Sequence, residues 1–113
     1  MKELMAKDVV KMLNISTRML HYYDEMGLVV PRRKENGYRV YDEKDLTRLK
    51  VVIKYRRAKV PVKVIRELLD KPNYYDVKLM QEHLCKLQNE EAYLQENINV
   101  TKQIIKQNGG DLL

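Results

Sequence analysis

Over the first seventy positions, apolar residues recur at helical spacing in short bursts, each closed by a turn residue. Ala6, Val9, Val10 and Leu13 form the first stripe and predict a helix from about Ala6 to Leu13. Met5 stands where Ser or Thr would cap it, and Asn14 suits its end. Ile15 follows, then Ser16, which can cap a second helix over about Thr17 to Met26; Gly27 can close that helix in a left-handed conformation. Two short helices joined by about three residues have the spacing of a helix-turn-helix.

Leu28, Val29 and Val30 then favour strand, and Pro31 stops any helix. Asn36-Gly37, followed by the alternation Tyr38, Arg39, Val40, Tyr41, predicts a small β-hairpin, or wing, with basic residues along it. Asp42 caps a third helix predicted to reach about Lys59, striped by Leu46, Leu49, Val52 or Ile53, and Arg56. Val60-Pro61 breaks it. Pro61 suits the first turn of a fourth helix with Val64, Ile65, Leu68 and Leu69 facing inward. Lys71-Pro72-Asn73 ends that helix and predicts two domains, residues 1–71 and 72–113.

From about Asp76 to Gln107 there is neither Pro nor Gly, which predicts a helix of roughly 30 residues, about 45 Å long. A heptad fits it. Val77, Met80, Leu84, Leu87, Glu91, Leu94, Ile98, Thr101 and Ile105 fall at a and d, all apolar except Glu91 and Thr101. No other segment is long enough to cover this stripe, so it is expected to pair with a copy of itself as a coiled coil. The predicted fold class is mainly α: four short helices with a small hairpin wing, then a long dimerisation helix.

Composition sharpens this picture. The chain has 113 residues, 44% hydrophobic and 34% charged, which suits one small core rather than a disordered chain. Its net charge of +6 is uneven. Residues 1–70 carry 17 basic and 10 acidic side chains, a net of +7, while residues 71–113 carry 5 and 6, a net of −1. A basic front beside a near-neutral back points to a polyanion as partner of the front. A single cysteine, Cys85, excludes an internal disulfide and fits a reducing, cytoplasmic setting. No apolar run approaches a membrane span, and the acidic residues of MKELMAKDVVKML leave no export signal. A large catalytic cleft has no place in so short a chain, so no enzyme is expected. Neither metal nor cofactor is expected, since Cys85 has no companion ligands and the two His have no partner spacing.

The segment STRMLHYYDEMGLVVPRRKENGYRVY, residues 16–41, carries the chemistry. Ser16-Thr17-Arg18, Leu20, Tyr22-Tyr23-Asp24, Gly27-Leu28, Pro31, Asn36-Gly37-Tyr38-Arg39, Tyr41 and Asp45-Leu46 together resemble the N-terminal DNA-binding domain of the mercury-resistance regulator (MerR) family. The resemblance runs from about Leu4 to Leu69, and the long final helix fits it as well. It implies a winged helix-turn-helix, and a homodimer joined by antiparallel pairing of the long helices. The implied partners are a pseudo-palindromic promoter operator in double-stranded DNA, and RNA polymerase. The implied mechanism is distortion of the promoter so that its two elements line up. The resemblance also places Tyr38 and Arg39 on the DNA backbone and makes the loop holding Lys59 and Lys63 a second wing.

The residues themselves support this. A recognition helix needs small polar and basic side chains near its N-terminus, and Thr17, Arg18, His21 and Tyr22 supply them on one face. Arg18 suits guanine or phosphate, and the hydroxyls of Tyr22 and Tyr23 suit phosphate oxygens. For Tyr23 a core ring packed on the first helix is an equal alternative. Arg33 and Arg39 on the hairpin are expected to meet phosphates.

Three departures from the family pattern matter. His21 stands where Arg is usual; it is shorter and mostly neutral at pH 7, so either the change is drift or one contact is pH-sensitive. The paired cysteines of the family's metal sensors are absent. No effector module is expected after Gln107, which leaves a minimal regulator, or a repressor controlled by a protein partner. Two other classes compete. An excisionase-like architectural factor shares the helix-turn-helix and wing but usually lacks a dimer arm. A coiled-coil module without DNA binding does not account for the charge split.

Overall fold

The computed structural model describes residues 3–111. Met1, Lys2, Leu112 and Leu113, which the expected domain limits include, lie outside the described residues. The element order is β1 (Leu4–Met5), α1 (Ala6–Leu13), α2 (Thr17–Glu25), β2 (Arg32–Arg33), β3 (Arg39–Tyr41), α3 (Glu43–Arg57), α4 (Val62–Leu69), a 3-10 turn (Pro72–Tyr74) and α5 (Val77–Gln107). The chain divides into two compact units, one ending at Tyr75 and the other beginning at Asp76.

Local chemistry sets most boundaries of the first unit. Ser16 Oγ accepts from the Met19 amide at 3.0 Å and starts α2. Asn14 takes a left-handed conformation, φ 55°, and ends α1. Asp42 Oδ1 accepts from the Asp45 amide at 2.9 Å, and Asp45 Oδ2 accepts from the Asp42 amide at 3.1 Å, a reciprocal cap for α3. At α1, with no side-chain cap from Met5, Asp8 Oδ2 accepts from the Met5 amide at 3.1 Å. Helix α3 stops at Arg57, two residues before the expected end, because Lys59 adopts φ 62°. Pro61 stands just outside α4 as its cap position, with φ −62° and ψ 147°.

The sheet has three strands in the order β1-β3-β2, all antiparallel. Leu4 pairs with Tyr41 and Met5 with Val40; on the other side Arg32 pairs with Val40 and Arg33 with Arg39. The turn forms as expected at Asn36-Gly37, with Gly37 at φ 86° and Asn36 Oδ1 accepting from the Tyr38 amide at 3.1 Å. The strand β1 has no periodic signal, because two residues cannot show a period. Leu28-Val29-Val30 is not strand. Leu28 and Val29 are buried, and both amides donate to the Tyr23 carbonyl, at 2.9 and 3.3 Å, closing α2.

The core is formed by Val9 of α1, Leu20 and Tyr23 of α2, Val40 and Tyr41 of β3, Leu49 and Val52 of α3, and Ile65, Leu68 and Leu69 of α4, with Leu28, Val29 and Val60 from the connecting segments. Helix α1 packs on α2 and on the sheet, and α3 packs on α4. The 3-10 turn belongs to this unit, where the Tyr55 hydroxyl donates to the Tyr74 carbonyl.

In the second unit α5 is a single helix of 31 residues capped by Asp76, whose Oδ1 accepts from the Leu79 amide at 3.1 Å. None of its described residues is buried. Val77, Leu84, Leu94 and Ile98 are exposed, with Leu94 at 59%.

Tyr41 is fully buried, and its hydroxyl has no hydrogen-bond partner among the described residues. Burial pushes this phenol up to about 12. The fold therefore favours the neutral form. That contribution is intact below pH 10 and is lost as pH rises from 10, where the unfolded tyrosine ionises, to about 12, where the folded one does. Tyr41→Phe is expected to raise stability at pH 7 by about 1 kcal/mol. It is also expected to remove roughly 2–3 kcal/mol of the alkaline decline. Tyr23 and Tyr55, also raised by burial, sustain the remainder. Denaturant titrations at pH 7, 10 and 12 check this; a Phe variant less stable at pH 7 would show that the hydroxyl is bonded.

Candidate nucleic-acid interface

Helix α2 buries Leu20 and Tyr23 and turns its other face outward. Thr17 and Arg18 are exposed, Tyr22 is 39% exposed and His21 is half-buried. A cleft of about 300 Å³ brings Arg18 and Tyr22 together with Ser16, Met19 and Arg56. Tyr23 is a core residue, 3% exposed, with its ring 6.1 Å from that of Tyr22. Burial pushes the Tyr23 phenol up, and nearby Arg56 opposes that shift. Of the two alternatives for Tyr23, this placement matches the core ring.

The wing lies beside this helix. A second cleft, about 490 Å³, opens between the start of α1, the helix α2 and the wing turn; His21, Tyr38, Arg39 and Lys7 line it. Tyr38 is 62% exposed at its rim. Arg39 is half-buried, and its Nε donates to Asp24 Oδ2 at 2.7 Å. Arg33 is exposed; its Nη1 donates to the Gly37 carbonyl at 3.1 Å and its Nη2 lies 3.5 Å from the same Asp24 oxygen. Lys59 is exposed at the α3–α4 connection, whereas Lys63, expected in the same loop, is exposed in the first turn of α4; neither lines these two clefts.

Several residues that orient this surface carry no local signal. Arg48 on α3 donates from Nε to the Leu28 carbonyl at 2.7 Å. Arg66 on α4 donates from Nε to the Met26 carbonyl at 3.0 Å and reaches the same oxygen with Nη2. Both carbonyls belong to the corner just after α2, where helix carbonyls have no intrahelical partner. Arg56 Nη1 donates to the Val60 carbonyl at 2.9 Å and holds the turn before α4. A clue to Arg56 is legible in the sequence, since it continues an apolar stripe at helical spacing. Asp24, Arg48 and Arg66 offer no such clue.

The arrangement presents cations and phenol hydroxyls on one helix face and one adjoining hairpin, and no nucleophile–base pair. It suits binding of a polyanion with side chains available for base edges.

Comparison with known proteins agrees with this geometry. Residues 4–71 match the profile of the MerR HTH family regulatory protein. The HTH-type transcriptional regulator SkgA of Caulobacter vibrioides is 40% identical over 70 residues, covering 61% of this chain and 28% of SkgA. The crystal structure of MtaN, the N-terminus of the Bacillus subtilis multidrug transporter activator, superposes with a TM-score of 0.80 at 27% identity, over 90% of this chain and 97% of MtaN. HiNmlR, a MerR family regulator lacking the sensor domain and solved bound to promoter DNA, superposes with a TM-score of 0.60 at 19% identity, over 95% of this chain and 92% of that one. At that identity the likeness shows the fold alone. The chain spans under a third of the length of the first curated relatives it matches.

Removing Arg48 leaves the carbonyl of buried Leu28 without its charged donor. Arg48→Ala is expected to lower unfolding stability by roughly 1.5–3 kcal/mol. The reading is a drop in the urea midpoint with an unchanged m-value; an unmoved midpoint would show that the bond contributes nothing.

Proposed function

The chain belongs to the MerR HTH family of regulatory proteins, and on that premise we propose that it binds promoter DNA as a transcriptional regulator, acting as a homodimer. The observation that carries this reading is α2, which projects Arg18 and Tyr22 outward beside a wing carrying Arg33, Tyr38 and Arg39. In the proposed complex α2 enters the major groove. Thr17, Arg18, His21 and Tyr22 face base edges and phosphates. Arg33, Tyr38 and Arg39 engage the backbone from the wing, Lys59 does so from the α3–α4 connection and Lys63 from the first turn of α4. Tyr23 supports Tyr22 from the core.

The second unit supplies the partner. The a and d residues of α5 include Val77, Leu84, Leu94 and Ile98, exposed in the single chain, with Met80, Leu87 and Ile105 half-buried. An apolar seam of this length is covered by an antiparallel copy. In a full-length antiparallel pair Glu91, near the middle of the stripe, faces its own copy. Two carboxylates there favour a displaced crossing or a partner cation, and such a polar position also sets register.

The dimer then brings two recognition helices to the two halves of a pseudo-palindromic operator. Regulation follows from differential affinity for two DNA shapes: the dimer holds a bent and untwisted promoter, and the energy is the difference in its affinity for the two forms. No helix among the described residues is long and apolar enough to cross a membrane.

Two measurements test this reading. With about eight phosphates neutralised per dimer, log affinity against log salt is expected to fall with a slope near −7; a slope near zero removes DNA binding. In the same assay Arg18→Ala is expected to cost about 1–3 kcal/mol, with relaxed specificity if it reads a base and a uniform loss if it meets phosphate. For the dimer, the double substitution Leu87→Glu and Leu94→Glu is expected to sediment as a monomer, and a stable dimer would overturn the α5 interface.

A further inference from the structure

Asp24 is an anomaly on a surface read as facing DNA. It places a carboxylate at the inner edge of a basic face, where repulsion from phosphate lowers affinity. Its side chain is only 12% exposed, and one oxygen, Oδ2, takes both Arg39 Nε at 2.7 Å and Arg33 Nη2 at 3.5 Å. Arg33 and Arg39 are a directly paired couple on β2 and β3. One atom of the recognition helix therefore holds both strands of the wing.

The wing needs such a hold. Its outer strand is two residues long, and a hairpin of that size is marginal without further support. On its far side β3 is held by β1, but β2 is the sheet edge. The other ion pair of the wing, Arg32 with Glu3, has side chains 64% and 52% exposed and contributes little in water. The Asp24 pair with Arg39, at 12% and 20%, is shielded from that screening. Guanidinium geometry then matters. Arg39 meets Asp24 along its Nε edge, so its fork remains available toward the cleft that it shares with His21 and Tyr38.

We propose that Asp24 is a positioning residue, which fixes the wing to the recognition helix and aims Arg39 at phosphate. This rests on the DNA-binding reading above and deepens it. The gain from orientation outweighs the repulsion that the carboxylate brings. The two effects have opposite signs, so they separate experimentally.

The test is binding of the full chain to a fluorescein-labelled duplex recovered from a random library, with a scrambled duplex as control, across a salt series. Asp24→Asn keeps size and removes charge. With a positioning role, affinity falls by about tenfold or more, and the salt slope becomes shallower by roughly two, because each of the two wings then leaves one phosphate unneutralised. With a merely repulsive role, affinity rises and the slope does not shrink, and the proposal is overturned. In an Arg39→Ala background, Asp24→Asn is expected to lose its penalty and to raise affinity slightly, since Arg39 is no longer there to be aimed and the carboxylate's repulsion is relieved; a full additive loss overturns the proposal. Should Asp24→Asn not fold, as read by its thermal melt, Arg39→Lys tests the same point. Lysine keeps the charge but cannot hold Asp24 by one edge and a phosphate by the other. A loss of at least about fivefold supports the proposal, and unchanged affinity overturns it. If the wild-type chain binds neither duplex even at low salt, the DNA-binding reading fails and this inference with it. If the wild type binds and Asp24→Asn binds as well, this inference alone fails.

Discussion

The structure of the first unit depends on how the corner after α2 is closed. From Tyr23 to Val29 the chain must stop a helix, reverse and pass into a buried segment, and each step leaves backbone carbonyls to satisfy. The Tyr23 carbonyl takes the amides of Leu28 and Val29. The Met26 carbonyl takes Arg66 from α4, and the Leu28 carbonyl takes Arg48 from α3. Leu28 and Val29 go into the core. Asp24, one turn earlier, takes both wing arginines. Elements far apart in sequence thus converge on seven residues, and the pitch of α2 against the rest of the unit is set there. In the role proposed for it, α2 has to be held at a defined angle, because a recognition helix that is tilted misplaces its side chains against the base edges.

The same corner bears on how a basic unit of net +8, with 18 basic and 10 acidic side chains in residues 1–75, remains compact. Among the described residues, at least six of its arginines are not free surface charge, the exposed Arg32 and Arg33 included, paired with Glu3 and Asp24. Arg48, Arg56 and Arg66 donate to backbone carbonyls, and Arg39 is paired with Asp24. The exposed cations, among them Arg18, Lys59 and Lys63, are left for a partner. Charge in this unit is therefore divided between holding the corner and meeting a polyanion. In the second unit α5 carries an open apolar stripe and a near-neutral charge, chemistry that suits a second copy rather than DNA.

How much was legible depended on range. Asn14, Ser16, Gly27, Asn36-Gly37 and Asp42 act on backbone within a few residues, and each signal is legible in the sequence and in place in the structure, where Asp45 adds the reciprocal half of the Asp42 cap. The stripes Ile65, Leu68, Leu69 and Leu49, Val52 also point inward as their periods require. The strand β1 was not legible, because two residues have no period and their partner lies beyond two helices. Leu28-Val29-Val30 is not strand for a related reason: apolar, β-favouring residues such as Leu28 and Val29 also fill a buried corner when the helix before them needs its carbonyl closed, while Val30 is exposed. At the site, Arg18, Tyr22, Arg33 and Tyr38 were legible as types at motif spacing. Tyr23 had two readings until burial placed its ring in the core.

The sequence alone therefore determined what its local physics could encode: where helices begin and stop, where the hairpin turns, which half is basic and which half carries a heptad. Only the tertiary structure decided which arginines bind backbone and which face outward. Asp24 meets Arg39 across 15 residues, Arg48 meets Leu28 across 20 and Arg66 meets Met26 across 40. No period or composition encodes such a pairing. A guanidinium's chemistry is the same at every position, and its role is set only when folding removes water from one carbonyl and leaves it on another.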